Sequence, residues 1–467
     1  MTGQRTEKDS LGEVTLPGDC LWGAQSQRSL QNFAIGSNRF PSHFIHDFAL
    51  VKLAAARANA ALKNLEPEHA DLIEAACREI ISGQHDDQFP LSVWQTGSGT
   101  QTNMNLNEVI ANLGNLLAGN PPGSYRPLHP NDHVNRSQSS NDVFPTVMHL
   151  VAHRLTSQSL LPALAALHQA LTDKEQQFSA SIKSGRTHMM DATPVTLGQE
   201  FGAWRAQMDF AGQRLRGALE PVRELAIGGT AVGTGLNTPA GWAATVVAAI
   251  NDLSGGAFRS ADNRFSQLAS HDALLVLHGE LNLLATQLYK MASDLRLMNS
   301  GPRCGLSEIS IPANEPGSSI MPGKVNPTQI EALTMVCLRV MGNNSVMAMA
   351  GSQGQFQLNV YKPVIIHTMM ESLELLSDAM TSFTRNCLSG IEANQKQLSS
   401  YTERSLMLVT ALSPHIGYDR ASKAAAYALD HDLSLREAVT QLELLSGEQY
   451  DELVRPADML GDRDQTT

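Results

Sequence analysis

The sequence predicts a mainly α-helical protein built around a bundle of long helices, and three observations carry that prediction. Leu274, Leu277, Leu281, Leu284, Leu288, Met291, Leu295 and Met298 alternate at spacings of three and four residues. Ile366, Met369, Leu373, Leu376, Met380 and Phe383 repeat the pattern, and Leu160, Leu164, Leu167 and Leu171 give a shorter version. Sustained a/d stripes of this kind mark long helices packed side by side, and such bundles often associate with copies of themselves. Aromatic residues make up only 5% of the chain while Leu, Ala and Met are plentiful, which favours helix over sheet.

A chain of 467 residues can bury a large core and divides naturally into several domains. Three are expected: a mostly helical N-terminal domain over 1–138, the long-helix bundle over 139–393, and a small helical C-terminal domain over 394–467. The formal charge of −12 argues against nucleic acid as the main partner, because phosphate binding needs a basic surface. It leaves room for a small anion held by local cations and helix N-termini. No apolar run approaches the roughly 20 residues that span a bilayer, so no membrane partner is expected. Cys20, Cys77, Cys304, Cys337 and Cys387 are scattered and odd in number, which points to a reducing compartment. The first residues resemble neither a signal nor a transit peptide, and the cytoplasm is the expected location.

In chain order, helical patterns are expected near Phe48–Leu65 and near Ala70–Ile81, the second stopped by Ser82-Gly83. The passage Ser98-Gly99-Thr100 to Asn105 reads as a loop feeding the helix that carries Asn107 and Glu108. His129-Pro130-Asn131-Asp132 and Ser139-Ser140-Asn141-Asp142 form two further polar clusters, the second capping a helix. Hydroxyls and amides dominate both, and no helical His pair has metal spacing, so no metal is expected. Gly185–Pro194 reads as a loop between helices, containing Thr187 and His188. The glycine-rich Gly228–Asn237 resembles a dinucleotide loop, but no βαβ pattern surrounds it and no cofactor is expected.

The most distinctive stretch is Gly317-Ser318-Ser319-Ile320-Met321-Pro322-Gly323-Lys324-Val325-Asn326-Pro327. Its prolines and glycines forbid a helix. What remains offers hydroxyls, backbone amides, an ammonium and a carboxamide, groups suited to an anion whose charge grows during reaction.

This string resembles the signature loop of the aspartase/fumarase superfamily, and the adjoining Thr328-Gln329-Ile330-Glu331-Ala332 resembles its class II fumarase branch. Ser98–Asn105, Ser139–Asp142 and Thr187-His188 occur in the order seen in that branch, so the resemblance spans the chain. It implies a tetramer around a multi-helix core, with each active site drawing loops from three subunits, and reversible hydration of fumarate to (S)-malate without metal or cofactor. By resemblance Ser318 is the base, Lys324 and Asn326 stabilise the aci-carboxylate, and His188, paired with Glu331, protonates the leaving hydroxyl. Ser98, Gly99, Thr100, Ser139, Ser140, Asn141, Thr187, Ser319, Lys324, Val325 and Asn326 are expected to hold the dicarboxylate. Arg126, His129, Pro130, Asn131 and Asp132 match a second anion site. Met189-Met190 and His133 depart from the commonest fumarase pattern. Aspartate ammonia-lyase and a non-catalytic superfamily scaffold are the alternatives.

Overall fold

In the computed structural model, which describes residues 3–461, helices make up most of the chain and strands occur only as short pairs. A hairpin of β1 (Gln4–Asp9) and β2 (Gly12–Pro17) precedes α1 (Ala24–Asn32), α2 (Ser42–Ala61), α3 (Pro67–Ile81) and α4 (Thr100–Leu117). Next come α5 (Ser140–Leu155), α6 (Leu161–Gln177), a second hairpin of β3 (Ile182–Thr187) and β4 (Met190–Thr196), and α7 (Leu197–Val222). Beyond α7 lie β5 (Glu224–Leu225), α8 (Trp242–Ser254), β6 (Arg259–Ser260), α9 (Arg264–Ala269) and α10 (Asp272–Met298). After β7 (Ile309–Ser310) run α11 (Thr328–Gly351), α12 (Lys362–Asn386), β8 (Glu392–Ala393) and a series of shorter helices from Gln395 to Leu453. No described helix is long and apolar enough to cross a membrane.

The chain forms two compact units. One comprises Met1–Leu161, Gln213–Leu283 and Arg339–Leu375; the other comprises Pro162–Gly212, Leu284–Leu338 and Leu376–Thr467. The long helices α7, α10, α11 and α12 each contribute residues to both. The expected stripes are core: all eight positions from Leu274 to Met298, and all six from Ile366 to Phe383, are buried. α11 differs, because it is apolar on two sides. Ile330, Leu333, Cys337, Val340 and Met347 are buried, while Met335, Leu338, Val346 and Met349 face outward, Met349 at 70% exposure.

Sequence and structure part company at four places. The passage expected as a loop as far as Asn105 is helical from Thr100, because Gly99 in a left-handed conformation forms the N-cap of α4. α2 starts at Ser42, well before the expected Phe48, because Pro41 in an extended conformation forms its N-cap and the next residues turn inward. The stretch 185–194 is the β3–β4 hairpin and not an open loop. The glycine-rich 228–237 does lie between two paired parallel strands, β5 and β6, with α8 intervening, contrary to expectation. Those strands are two residues long, and the Gly228 and Thr230 amides donate to the Asp142 carboxylate, where a dinucleotide phosphate would need them.

In the first unit an aromatic cluster fixes the base of α4. Phe40, Phe44, Phe48 and Phe144 pack with ring centroids 4.5–6.1 Å apart. Gly99, at φ +74°, lies so close that an added Cβ would sit 2.3 Å from the Phe144 ring. Gly119 has a similar φ of +80°, but a Cβ there meets nothing within 4 Å. Gly99→Ala is therefore expected to lose about 2–4 kcal/mol, and Gly119→Ala only about 1 kcal/mol, in denaturant unfolding. Equal losses would mean that the ring contact does not constrain the turn.

Candidate active site

Two of the expected substrate loops lie in the first unit, and both end as helix N-termini. The turn Ser98-Gly99-Thr100 is largely buried, its two hydroxyls hydrogen-bonded at 2.7 Å, with Gly99 as the N-cap of α4. It is propped from behind: the Lys362 amide donates to the Gly97 carbonyl at 3.1 Å, and a Cβ at Gly97 would lie 1.4 Å from the Val360 oxygen. Ser139 caps α5 in a reciprocal box, accepting from the Asn141 amide while its own amide donates to Asp142. Asn141 donates its side-chain amide to the Ala231 carbonyl at 2.8 Å. Helix N-termini beside small hydroxyls suit a carboxylate, the use foreseen for these residues.

Beneath these turns is a polar network that the sequence did not announce. Lys52, fully buried in α2, donates to Asn135 Oδ1 at 3.1 Å and to Gln138 Oε1 at 3.0 Å. Asn103 and Asn107 of α4 donate to the same Asn135 oxygen, and Asn103 also reaches Ser140 Oγ at 3.0 Å. One buried ammonium thus ties the start of α4 to the start of α5. Asp142, also fully buried, accepts from Ser139, Gly228 and Thr230 amides. Burial pushes Lys52 down to about 7 and Asp142 up to about 6, each opposed by the charge of the other.

The second anion cluster folds into one tight helical turn, Pro130–Val134. His129 Nδ1 accepts from the Asn131 and Asp132 amides, and His133 Nδ1 accepts from the His129 amide at 2.9 Å. Arg126 is exposed. A polar cleft of about 430 Å³ brings Asn131 and Asp132 together with Ser139, Thr230 and Asn237; the cation lining it is Arg136, which sequence reasoning did not single out.

The remaining candidates lie in the second unit. Thr187 ends β3, and His188 and Met189 form the two-residue tip of the hairpin, with φ of +57° and +64°. Thr187, His188, Met189 and Met190 are all exposed. In the loop after β7, the Ser318 hydroxyl oxygen accepts from two backbone amides, Ile320 at 3.2 Å and Met321 at 3.1 Å. Asn326 donates to the Gly317 carbonyl at 3.1 Å, so one of its side-chain N–H groups closes the loop. A Cβ at Gly317 would fall 1.2 Å from the Lys324 carbonyl oxygen, a contact only glycine allows. Ser318 is half-buried, while Ser319, Lys324 and Val325 are exposed. Glu331 lies in the first turn of α11, and its carboxylate meets Arg296 at 3.3 Å. Among the described residues no group of three or more His, Cys, Asp or Glu side chains is arranged to hold a metal ion.

The chain matches the lyase family over residues 12–342 and the fumarase C C-terminus over 408–461. It is 55% identical to the class II fumarate hydratase 1 of Pseudomonas aeruginosa over 456 residues, 98% of each chain. The chain belongs to the class II fumarate hydratase family. It is also 54% identical to the mitochondrial fumarate hydratase of Rhizopus oryzae, across 98% of this chain and 93% of that one. Among solved structures, the class II fumarase of Schistosoma mansoni superposes with a TM-score of 0.95 at 44% identity, covering 98% of this chain and 99% of that one.

Two measurements test the local geometry of this fumarate hydratase relative. Gly317→Ala should cut turnover at least about tenfold while leaving helical content intact, because only the exposed loop must rearrange; normal turnover would show a loop that tolerates opening. Lys52 has a folded pKa below its unfolded one, so between about pH 7 and 10 the unfolded chain binds more protons and stability rises with pH. Lys52→Met removes that component. Wild type should therefore gain on the variant as pH is raised through this window, and a pH-independent difference would mean that burial does not lower the Lys52 pKa.

Proposed function

We propose that the chain is a hydro-lyase that interconverts fumarate and (S)-malate. Beyond family membership, the observation that carries this reading is the Ser318 oxygen held by two backbone amides in a loop closed by Gly317, Lys324 and Asn326. Donors aimed at a hydroxyl oxygen favour its deprotonated form, which makes serine a usable base.

In the dehydration direction Ser318 removes the proton from the carbon beside the retained carboxylate. The electron pair moves into that carboxylate, giving an aci-carboxylate dianion stabilised by Lys324 and the loop amides. His188 then passes its proton to the departing hydroxyl, which leaves as water. Ser98, Thr100, Ser139, Ser140, Asn141 and Thr187 hold the two carboxylates, with Gly99, Ser319, Val325 and Asn326 shaping the site. No step calls for a metal. Arg126, His129, Pro130, Asn131 and Asp132 form a second anion site.

Assembly completes this site. His188 stands on an exposed hairpin tip, and Glu331 has Arg296 as its partner within the chain, so the His188–Glu331 pair forms between subunits of a homotetramer. The outward Met335, Leu338 and Met349 on α11 support burial against another copy. Cys20, Cys77, Cys304, Cys337 and Cys387 are unpaired, which supports a reducing, cytoplasmic setting.

Fumarate absorbance measured with malate and with aspartate separates the readings. Malate alone should produce fumarate, and the rate should survive exhaustive chelation. Fumarate from aspartate alone would indicate an ammonia-lyase, and none from either a retired scaffold. His188→Asn should lower turnover in both directions by about 10²-fold or more, since one group serves as acid and base. A near-normal rate would assign the proton transfer elsewhere.

A further inference from the structure

The hairpin that carries His188 stands on a buried charge cluster. Glu308, the residue just before β7, is fully buried in the second unit. Its Oε1 accepts from Arg186 at 2.6 Å, and its Oε2 lies 2.6 Å from Lys183 Nζ, a charge contact off the hydrogen-bonding direction. Lys183 also donates to Glu200 at 2.9 Å, and the Arg186 guanidinium lies over the Tyr401 ring at 5.5 Å.

The spacing of the two cations matters. Residues 183 and 186 of a regular strand point to opposite faces. Here the register shifts between Ser184 and Arg186, so that Gly185 stands opposite both Ala192 and Thr193. Such irregularities increase local twist and re-aim the side chains beyond them. Gly185 admits the close approach: a Cβ there would lie 2.6 Å from the Thr193 oxygen. The extra residue belongs to β4, and one carboxylate grips β3 on both sides of the position that faces it, through Lys183 before it and Arg186 after it. Glu308 is itself fixed by its backbone, its amide donating to Met298 and its carbonyl accepting from Asn394.

We propose that Glu308 is a positioning residue for His188: it clamps the twisted hairpin stem and so sets the direction in which the tip presents the imidazole. The clamp touches no reacting atom. Its consequence is geometric, because a proton donor displaced by about 1 Å can lose on the order of 10²-fold in rate. A buried carboxylate with two cations is a costly arrangement for stability alone, since an apolar trio of similar volume would often serve as well.

This inference rests on the fumarate-hydrating reading, so the wild-type enzyme is assayed first. Failure of the wild type to turn over fumarate or malate would overturn that reading and this one with it. With an active wild type, Glu308→Gln should lower kcat at least about tenfold and leave KM within about threefold. The solvent-deuterium isotope effect on kcat should rise as proton transfer becomes limiting. The number of succinate sites per subunit, measured by calorimetry, should be unchanged. Arg186→Met keeps the Lys183 contacts and should show the same split, which covers the case in which Glu308→Gln does not fold. Normal kcat in the folded variants would overturn the proposal. So would a loss of succinate sites in proportion to kcat, which marks simple unfolding.

Discussion

Eight side chains from Leu274 to Met298, buried along the whole of α10, form the seam on which the rest of the molecule depends. Catalytic loops need a rigid frame, because small displacements at the reacting centre are expensive in rate. The long helices supply it. Three of the candidate substrate segments end where a helix begins, at Thr100 of α4, Ser140 of α5 and Thr328 of α11. Each brings the positive end of a helix dipole to a loop of hydroxyls and amides. A protein of net charge −12 can thereby offer local sites for a dianion without a basic surface.

Some of the buried ionisable groups lie under two of those loops and under the His188 hairpin. Lys52 and Asp142 sit beneath the Ser98 and Ser139 turns, and Glu308 with Lys183 sits beneath the His188 hairpin. Burying charge yields little net stability, so these groups are better understood through what they hold in place. Glu108 makes the same point away from the chemistry. Fully buried, its carboxylate accepts from the Gly23, Gln25 and Ser26 amides and so takes the place of a capping side chain at the start of α1.

Much of this was legible in the sequence because it depends on local rules. The a/d stripes announced the long helices, Ser139 and Asp142 announced a helix cap, and the prolines and glycines of 317–327 excluded regular structure. The hairpin was hidden because its tip is His188-Met189, two residues with positive φ where Asn-Gly would have been the signal. Lys52 was hidden because its burial is decided by Asn135 and Gln138, more than eighty positions away. Arg186 and Glu308 are separated by 122 positions, and no periodicity links them. The outward apolar face of α11 carries no separate sequence signal either, since its buried face has the same composition.

We propose that one chain carries all the chemistry but no complete site. The direct test is to dissociate and reassociate equal amounts of Ser318→Ala and His188→Asn subunits, each inactive alone. If the hairpin and the signature loop act in one site from different subunits, a random tetramer leaves about one quarter of its sites with both groups intact, and about that fraction of wild-type activity returns. If they act from the same chain, every site in the mixture carries one lesion. Activity no greater than that of the separate variants would contradict the account.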